Sequence, residues 1–139
     1  MLQELVPRET YRDHGQRAWK FLNPLALWTL DALREEYGPV IVNDWIWDGQ
    51  WSYRGYRPAG CKVGAKDSAH RHGNAFDCNF KGFDAERVRQ DLFMSVKKNV
   101  PPKECFKYIT EVETGISWFH FAVTNHNRDA DGIFVFGKS

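Results

Sequence analysis

Ser68-Ala69-His70-Arg71-His72-Gly73-Asn74-Ala75-Phe76-Asp77 holds an imidazole and a carboxylate seven positions apart in a frame of small residues. Neutral imidazole and carboxylate oxygen both ligate a borderline-soft cation such as zinc. Seven residues exceed the reach of one helical turn, so the two side chains meet only if the chain bends between them. Gly73 supplies that bend with no Cβ penalty. Residues 74–80 then read as a buried strand carrying Asp77. A loop histidine and a strand aspartate joined by a glycine turn make two of the three protein ligands that a catalytic zinc needs.

The third ligand has to come from elsewhere in the chain. Ile116-Ser117-Trp118-Phe119-His120-Phe121-Ala122-Val123 is an apolar, aromatic run with one histidine inside it. Aromatic and β-branched residues favour strands, so His120 projects from a core strand, where its nitrogens need partners. Zinc is one such partner, and a backbone carbonyl is the other reading.

The decapeptide matches the Ser-x-His-x-x-Gly-x-Ala-x-Asp signature of the hedgehog-like zinc peptidases of bacterial cell walls, and residues 35–125 resemble that family. It includes D-alanyl-D-alanine carboxypeptidases and dipeptidases, and phage L-alanyl-D-glutamate endolysins. The resemblance implies that His70 and Asp77 are the first two zinc ligands, and that His120, in a Trp-x-His segment, is the third. Upstream, Arg54-Gly55-Tyr56-Arg57-Pro58 resembles the family's Gly-Tyr-Arg motif and puts Arg57 on its active-site arginine. The run from Ile109 to His120 is similar to small phage-encoded members in particular.

One position departs from the family. Several members carry an acidic general base three residues before the third ligand, where this chain has Ser117. Glu113 is the acid that matches the phage-type pattern and is the expected base. The residues themselves read otherwise: a hairpin turn at 113–115 would leave Glu113 in water, some seven extended residues or about 23 Å from His120. Glu111, Asp67, His72 and His126 are the alternatives. Arg57 also has two readings, as a solvated loop charge beside Arg54, or as a planar fork that stabilises an oxyanion or holds a substrate carboxylate.

The composition fits this picture. The 139 residues suit one domain, 1–139, with a substantial core. The net charge is +1 and is spread along the chain, which argues against nucleic-acid and membrane partners. Aromatic residues make up 15% of the chain, with six tryptophans, enough to furnish both a core and a groove for peptide or glycan. Cys61, Cys78 and Cys105 are an odd number without Cys-x-x-Cys spacing, which points to synthesis in a reducing compartment. Cys78 follows Asp77 on an alternating strand and so reads as core packing. Neither a leader-like N-terminus nor a spanning apolar run is present. The expectation is cytoplasmic synthesis without a signal peptide, and action at the cell wall after release or as part of a virion.

Helices are expected over 15–22, over 24–37 with Asn23 as N-cap, Pro24 at N1 and Gly38 as C′, and over 85–98, closed by Asn99 and Pro101-Pro102. Strands are expected at 40–42, 74–80, 108–112, 116–123 and 133–136, with a long functional loop over 43–66. The expected architecture is α+β: a small antiparallel sheet flanked by helices, of the hedgehog and DD-peptidase type that the resemblance implies. The expected activity is zinc-dependent hydrolysis of an amide in the peptidoglycan stem peptide by a monomer. The alternative is a zinc-containing wall-binding or virion module that has lost its base.

Overall fold

The computed structural model describes residues 1–65, 68–97, 101, 103–123 and 132–138. A short helix, α1 (Arg8–His14), runs into a 3-10 stretch over Gly15–Phe21, where one helix over 15–22 was expected. The main helix, α2 (Pro24–Tyr37), begins where its sequence signals place it. The Asn23 side chain accepts a hydrogen bond from the Leu25 amide at 2.8 Å, and Pro24 fills the first turn, where no donor is needed. Gly38 ends the helix at φ 84°, its amide bonded to the Arg34 carbonyl. Ala26, Leu30 and Leu33 recur at helical spacing and are buried.

A second amphipathic helix, α3 (Ala85–Lys97), buries Val88, Arg89 and Leu92. Its expected end at Lys98, Asn99 and Pro102 lies outside the described residues. Arg89 is buried but well partnered, donating to the carbonyls of Ile116 and Trp118, both at 2.7 Å, and to Glu86. It pins the 115–118 bend to the helix. No helix among the described residues is long and apolar enough to cross a membrane.

The sheet comprises β1 (Val40–Ile41), β2 (Ala75–Phe80), β3 (Ile109–Thr114), β4 (Phe119–Val123) and β5 (Phe134–Gly137), in the order β1-β2-β4-β3-β5. Every pairing is antiparallel except β3–β5, so the sheet is mixed rather than wholly antiparallel. The cause is topological. The chain leaves β4 at the end where β3 begins, and β5 starts from that same end on the far side of β3.

Strand alternation divides the sheet into two faces. Phe76 and Cys78 of β2, Phe119, Phe121 and Val123 of β4, and Val112 of β3 join Leu30, Leu33 and Val88 in the core. Cys78 is therefore core packing, and burial pushes its thiol pKa up. The opposite face carries Asp77 across from His120.

The β3–β4 ladder contains an irregularity that matters for function. Ile109 pairs with Val123, but the next pair is Glu111 with Ala122, followed by Val112 with Phe121. The register shift at Thr110 is a β-bulge, and it reverses the parity of the rest of β3. Ile109 stays in the core, whereas Glu111 and Glu113 are carried onto the face of Asp77 and His120.

Candidate metal centre

The Ser-x-His-x-x-Gly frame is a single capped turn. Ser68 Oγ accepts from the His70 amide at 3.3 Å and starts a 3-10 turn over Ala69–His72. Gly73 closes that turn at φ 70°, with its Cα against the backbone of Phe21 and Leu22, so a Cβ there would be both strained and obstructed. The chain then enters β2, which presents Asp77 two residues beyond Ala75. On the other side, the loop after β1 is tied down by Tyr56 N–H to the Leu5 carbonyl at 2.8 Å. Asp77 N–H bonds to the Arg54 carbonyl at 2.7 Å, which brings that loop against β2.

These constraints make His70, Asp77 and His120 converge. His70 Nε2 lies 3.2 Å from Asp77 Oδ1 and 3.3 Å from His120 Nδ1, and His120 Nδ1 lies 2.8 Å from the same aspartate oxygen. All three residues are buried, and the group could hold a metal ion. A tetrahedral cation with bonds of about 2.0–2.1 Å sets its ligands about 3.3 Å apart, close to the spacing of this triangle. The outward-facing atoms of the group are also held. His70 Nδ1–H donates to the Gly55 carbonyl at 2.9 Å, which leaves Nε2 as the inward acceptor. His120 Nε2–H donates to Glu111 Oε2 at 2.6 Å. Arg57 Nη2 lies 3.4 Å from Asp77 Oδ2. Outer partners of this kind fix ring orientation and tautomer in metal sites. The donor set, its spacing and its outer contacts all fit a metal ion.

Electrostatics separate the two histidines. Burial lowers the His70 pKa, which keeps that ring neutral. Burial also opposes charging of His120, but hydrogen bonds to Asp77 and Glu111 outweigh it and raise its pKa to about 9. Burial works against Asp77 as a carboxylate, yet its close contacts with the two rings hold its pKa well below the ordinary carboxylate range. The raised pKa favours the imidazolium form of His120, which donates from Nδ1 to Asp77 and from Nε2 to Glu111.

The triangle forms the floor of a cavity of about 560 Å³, whose walls include Arg57, Ser68, Glu113, Trp118, Phe134 and Phe136. Arg57 is 9% exposed and is not a solvated loop charge; its Nε donates to the Tyr53 carbonyl at 2.7 Å. Arg54 is no free charge either, since it bonds to Asn79 and lies 3.7 Å over the Trp51 ring.

Glu113 is not at a hairpin turn. It lies within β3, and the bend falls at 115–118. One step beyond the Val112–Phe121 pair, Glu113 comes opposite His120. The 23 Å separation expected from chain length is thus removed by strand pairing. Burial raises the Glu113 pKa, and the charges of Asp77 and Glu111 add to this against His120 and Arg57. Among the alternatives, His72 is exposed at the end of its turn and Glu111 is engaged by His120. Asp67 and His126 lie outside the described residues.

The contact of Glu111 with His120 and the contribution of β5 to the cavity are not evident from the motifs. The available signal was the Glu111-Val112-Glu113 alternation, which places two acids on one strand face. No protein-family model, curated protein or solved structure matches this chain.

Proposed function

We propose that the chain is a zinc-dependent peptidase that hydrolyses an amide bond in the peptidoglycan stem peptide, as an endolysin-like carboxypeptidase or endopeptidase. The observation that carries the reading is the convergence of His70, Asp77 and His120 at the floor of a cavity that also holds Arg57 and Glu113. The cavity volume lies within the range of small-molecule sites, about 300–1,000 Å³. The resemblance of residues 35–125 to the hedgehog-like peptidases supplies the substrate class.

His70, Asp77 and His120 would hold zinc, which when bound would supply Lewis acidity towards a carbonyl and a water. Arg57, anchored by Tyr53 and Asp77, directs its remaining N–H groups at negative charge developing on the carbonyl oxygen. Glu113, with its raised pKa, takes a proton from the attacking water and returns it to the leaving amine. Trp118, Phe134 and Phe136 wall the cavity with apolar surface and hold the aliphatic parts of the peptide.

A second reading, a zinc-holding wall-binding or virion module, is favoured by one observation: Ser117 stands where relatives carry the acid, and its side chain is exposed. Purified protein added to peptidoglycan separates the two. Loss of turbidity, with new muropeptides in the mass spectrum, supports the peptidase. Full zinc content without any new muropeptide supports the binding module. Metal analysis of His70→Ala, Asp77→Ala and His120→Ala tests the centre itself; wild-type zinc content in all three folded variants would refute it.

A further inference from the structure

The two acids that the bulge brings to the site stand in different relations to it. Both line the cavity, Glu113 from one residue beyond the Val112–Phe121 pair. Glu111 sits one pair further along, opposite Ala122, and its Oε2 accepts the His120 Nε2–H at 2.6 Å. Both members of that contact are buried, Glu111 at 7% exposure and His120 at 5%. A carboxylate buried to this extent is costly without a compensating charge.

The two imidazoles of the triangle are held in contrasting ways. The outer nitrogen of His70 meets a neutral carbonyl, that of Gly55, whereas the outer nitrogen of His120 meets a carboxylate. Asp77 and Glu111 together supply two negative charges around the point where the three ligand atoms meet. Arg57, 3.4 Å from Asp77, offsets part of that charge, and a cation at that point would offset more of it. The Phe136 ring packs edge-on against His120 at 5.6 Å, and Phe134 pairs with Glu111 across β3–β5, so apolar groups flank the contact.

We propose that Glu111 is a positioning residue of the metal centre. Its carboxylate locks the His120 ring with Nδ1 facing the triangle. The inference rests on the metal-site reading above and adds to it a division of labour. Glu111 also lines the cavity, but its carboxylate is engaged by His120 and acts through that ring, which leaves proton transfer to Glu113.

The test compares wild type, Glu111→Gln and Glu111→Ala for zinc affinity by chelator competition, and for the visible absorption of the cobalt(II)-loaded protein. Glutamine keeps the shape and can still accept from Nε2–H through its amide oxygen, so it carries the test even where alanine fails to fold. Loss of an outer carboxylate weakens zinc about 10–100-fold. The expected result is that loss for alanine, a smaller loss for glutamine, and a shifted cobalt spectrum in both. A purely structural role would lower the melting temperature in chelator while leaving the affinity and the cobalt spectrum as in wild type, and that result overturns the proposal. If wild type binds zinc, His70→Ala abolishes binding and Glu111→Gln leaves it untouched, the inference fails while the metal-site reading stands. If wild type takes up no zinc, both fail.

Discussion

Stripping the protein with a chelator and raising the pH from 6.5 to above 9 should destabilise it progressively, and zinc should reverse the trend. The His120 pKa rises from the ordinary 6.5 to about 9 in the folded chain, because hydrogen bonds to Asp77 and Glu111 outweigh the cost of burial. A group raised in this way favours folding in its protonated form. Its contribution is complete below the unfolded pKa of 6.5 and is lost as the pH climbs through about 9. At about 1.4 kcal/mol per pKa unit, the contribution is at most about 3.5 kcal/mol. For a domain of this size that corresponds to a melting shift on the order of 10 °C.

His70 works in the opposite sense. Burial lowers its pKa, so the unfolded chain takes up a proton that the folded chain refuses, and stability falls as the pH drops below 6.5. The metal-free protein should therefore be most stable near the ordinary histidine pKa. Zinc requires the His120 Nδ1 lone pair and competes with that proton, so the stabilisation it gives should grow between pH 6.5 and 9. Thermal melts in chelator and in zinc, with His120→Asn as the reference that removes the titrating group, measure both trends. A metal-free protein equally stable at both ends of the range, or a zinc increment independent of pH, would refute the reasoning.

Three further outcomes test the roles on the cavity wall. Arg57→Ala should retain zinc but lose about 2.7–4 kcal/mol of transition-state stabilisation, about 10²–10³ in rate, and Arg57→Lys should recover only part of it because the fork is gone; steady-state kinetics on muropeptides would detect a smaller loss. Glu113→Gln should abolish turnover while zinc content stays at the wild-type level, and an unchanged pH–rate profile would eliminate Glu113 as the base. Adding Ser117→Glu to Glu113→Gln should not restore activity; recovered muropeptide release would mean that the side chain at 117 reaches the metal cavity.

Much of this architecture was written locally. Asn23, Pro24 and Gly38 specify the ends of α2 through backbone chemistry that needs no distant partner. Ser68 and Gly73 do the same for the turn that carries His70, and two-residue alternation then puts Asp77 on the face opposite Phe76 and Cys78. The aromatic alternation of 119–123 places His120 between Phe119 and Phe121, out of the core they share. What local pattern did not reveal was set by pairing. Gly115 drew the expected turn to 113–115, but Glu113 and Thr114 stay in the strand because they pair with Phe136 and Gly137 of β5, far along the chain. The bulge at Thr110 has no motif of its own, yet it decides which face both acids occupy.

That dependence on pairing bears on the missing acid. The position three residues before His120 falls in the bend that precedes β4. Here the bend is held by Arg89, whose guanidinium takes the carbonyls on either side of residue 117. Ser117 consequently lines a separate pocket with Asp84, Glu86 and Arg89 on the α3 side, while the next residue, Trp118, faces the metal cavity. An acid at 117 would meet Asp84 and Glu86 and would have no line to the triangle. Glu111 and Glu113 both face the triangle's cavity from the neighbouring strand because the bulge has turned β3 over, and of the two Glu111 is engaged by His120. On this fold, then, serine at 117 is compatible with hydrolysis: the bend has been given over to helix packing, and the acid has a place on the sheet.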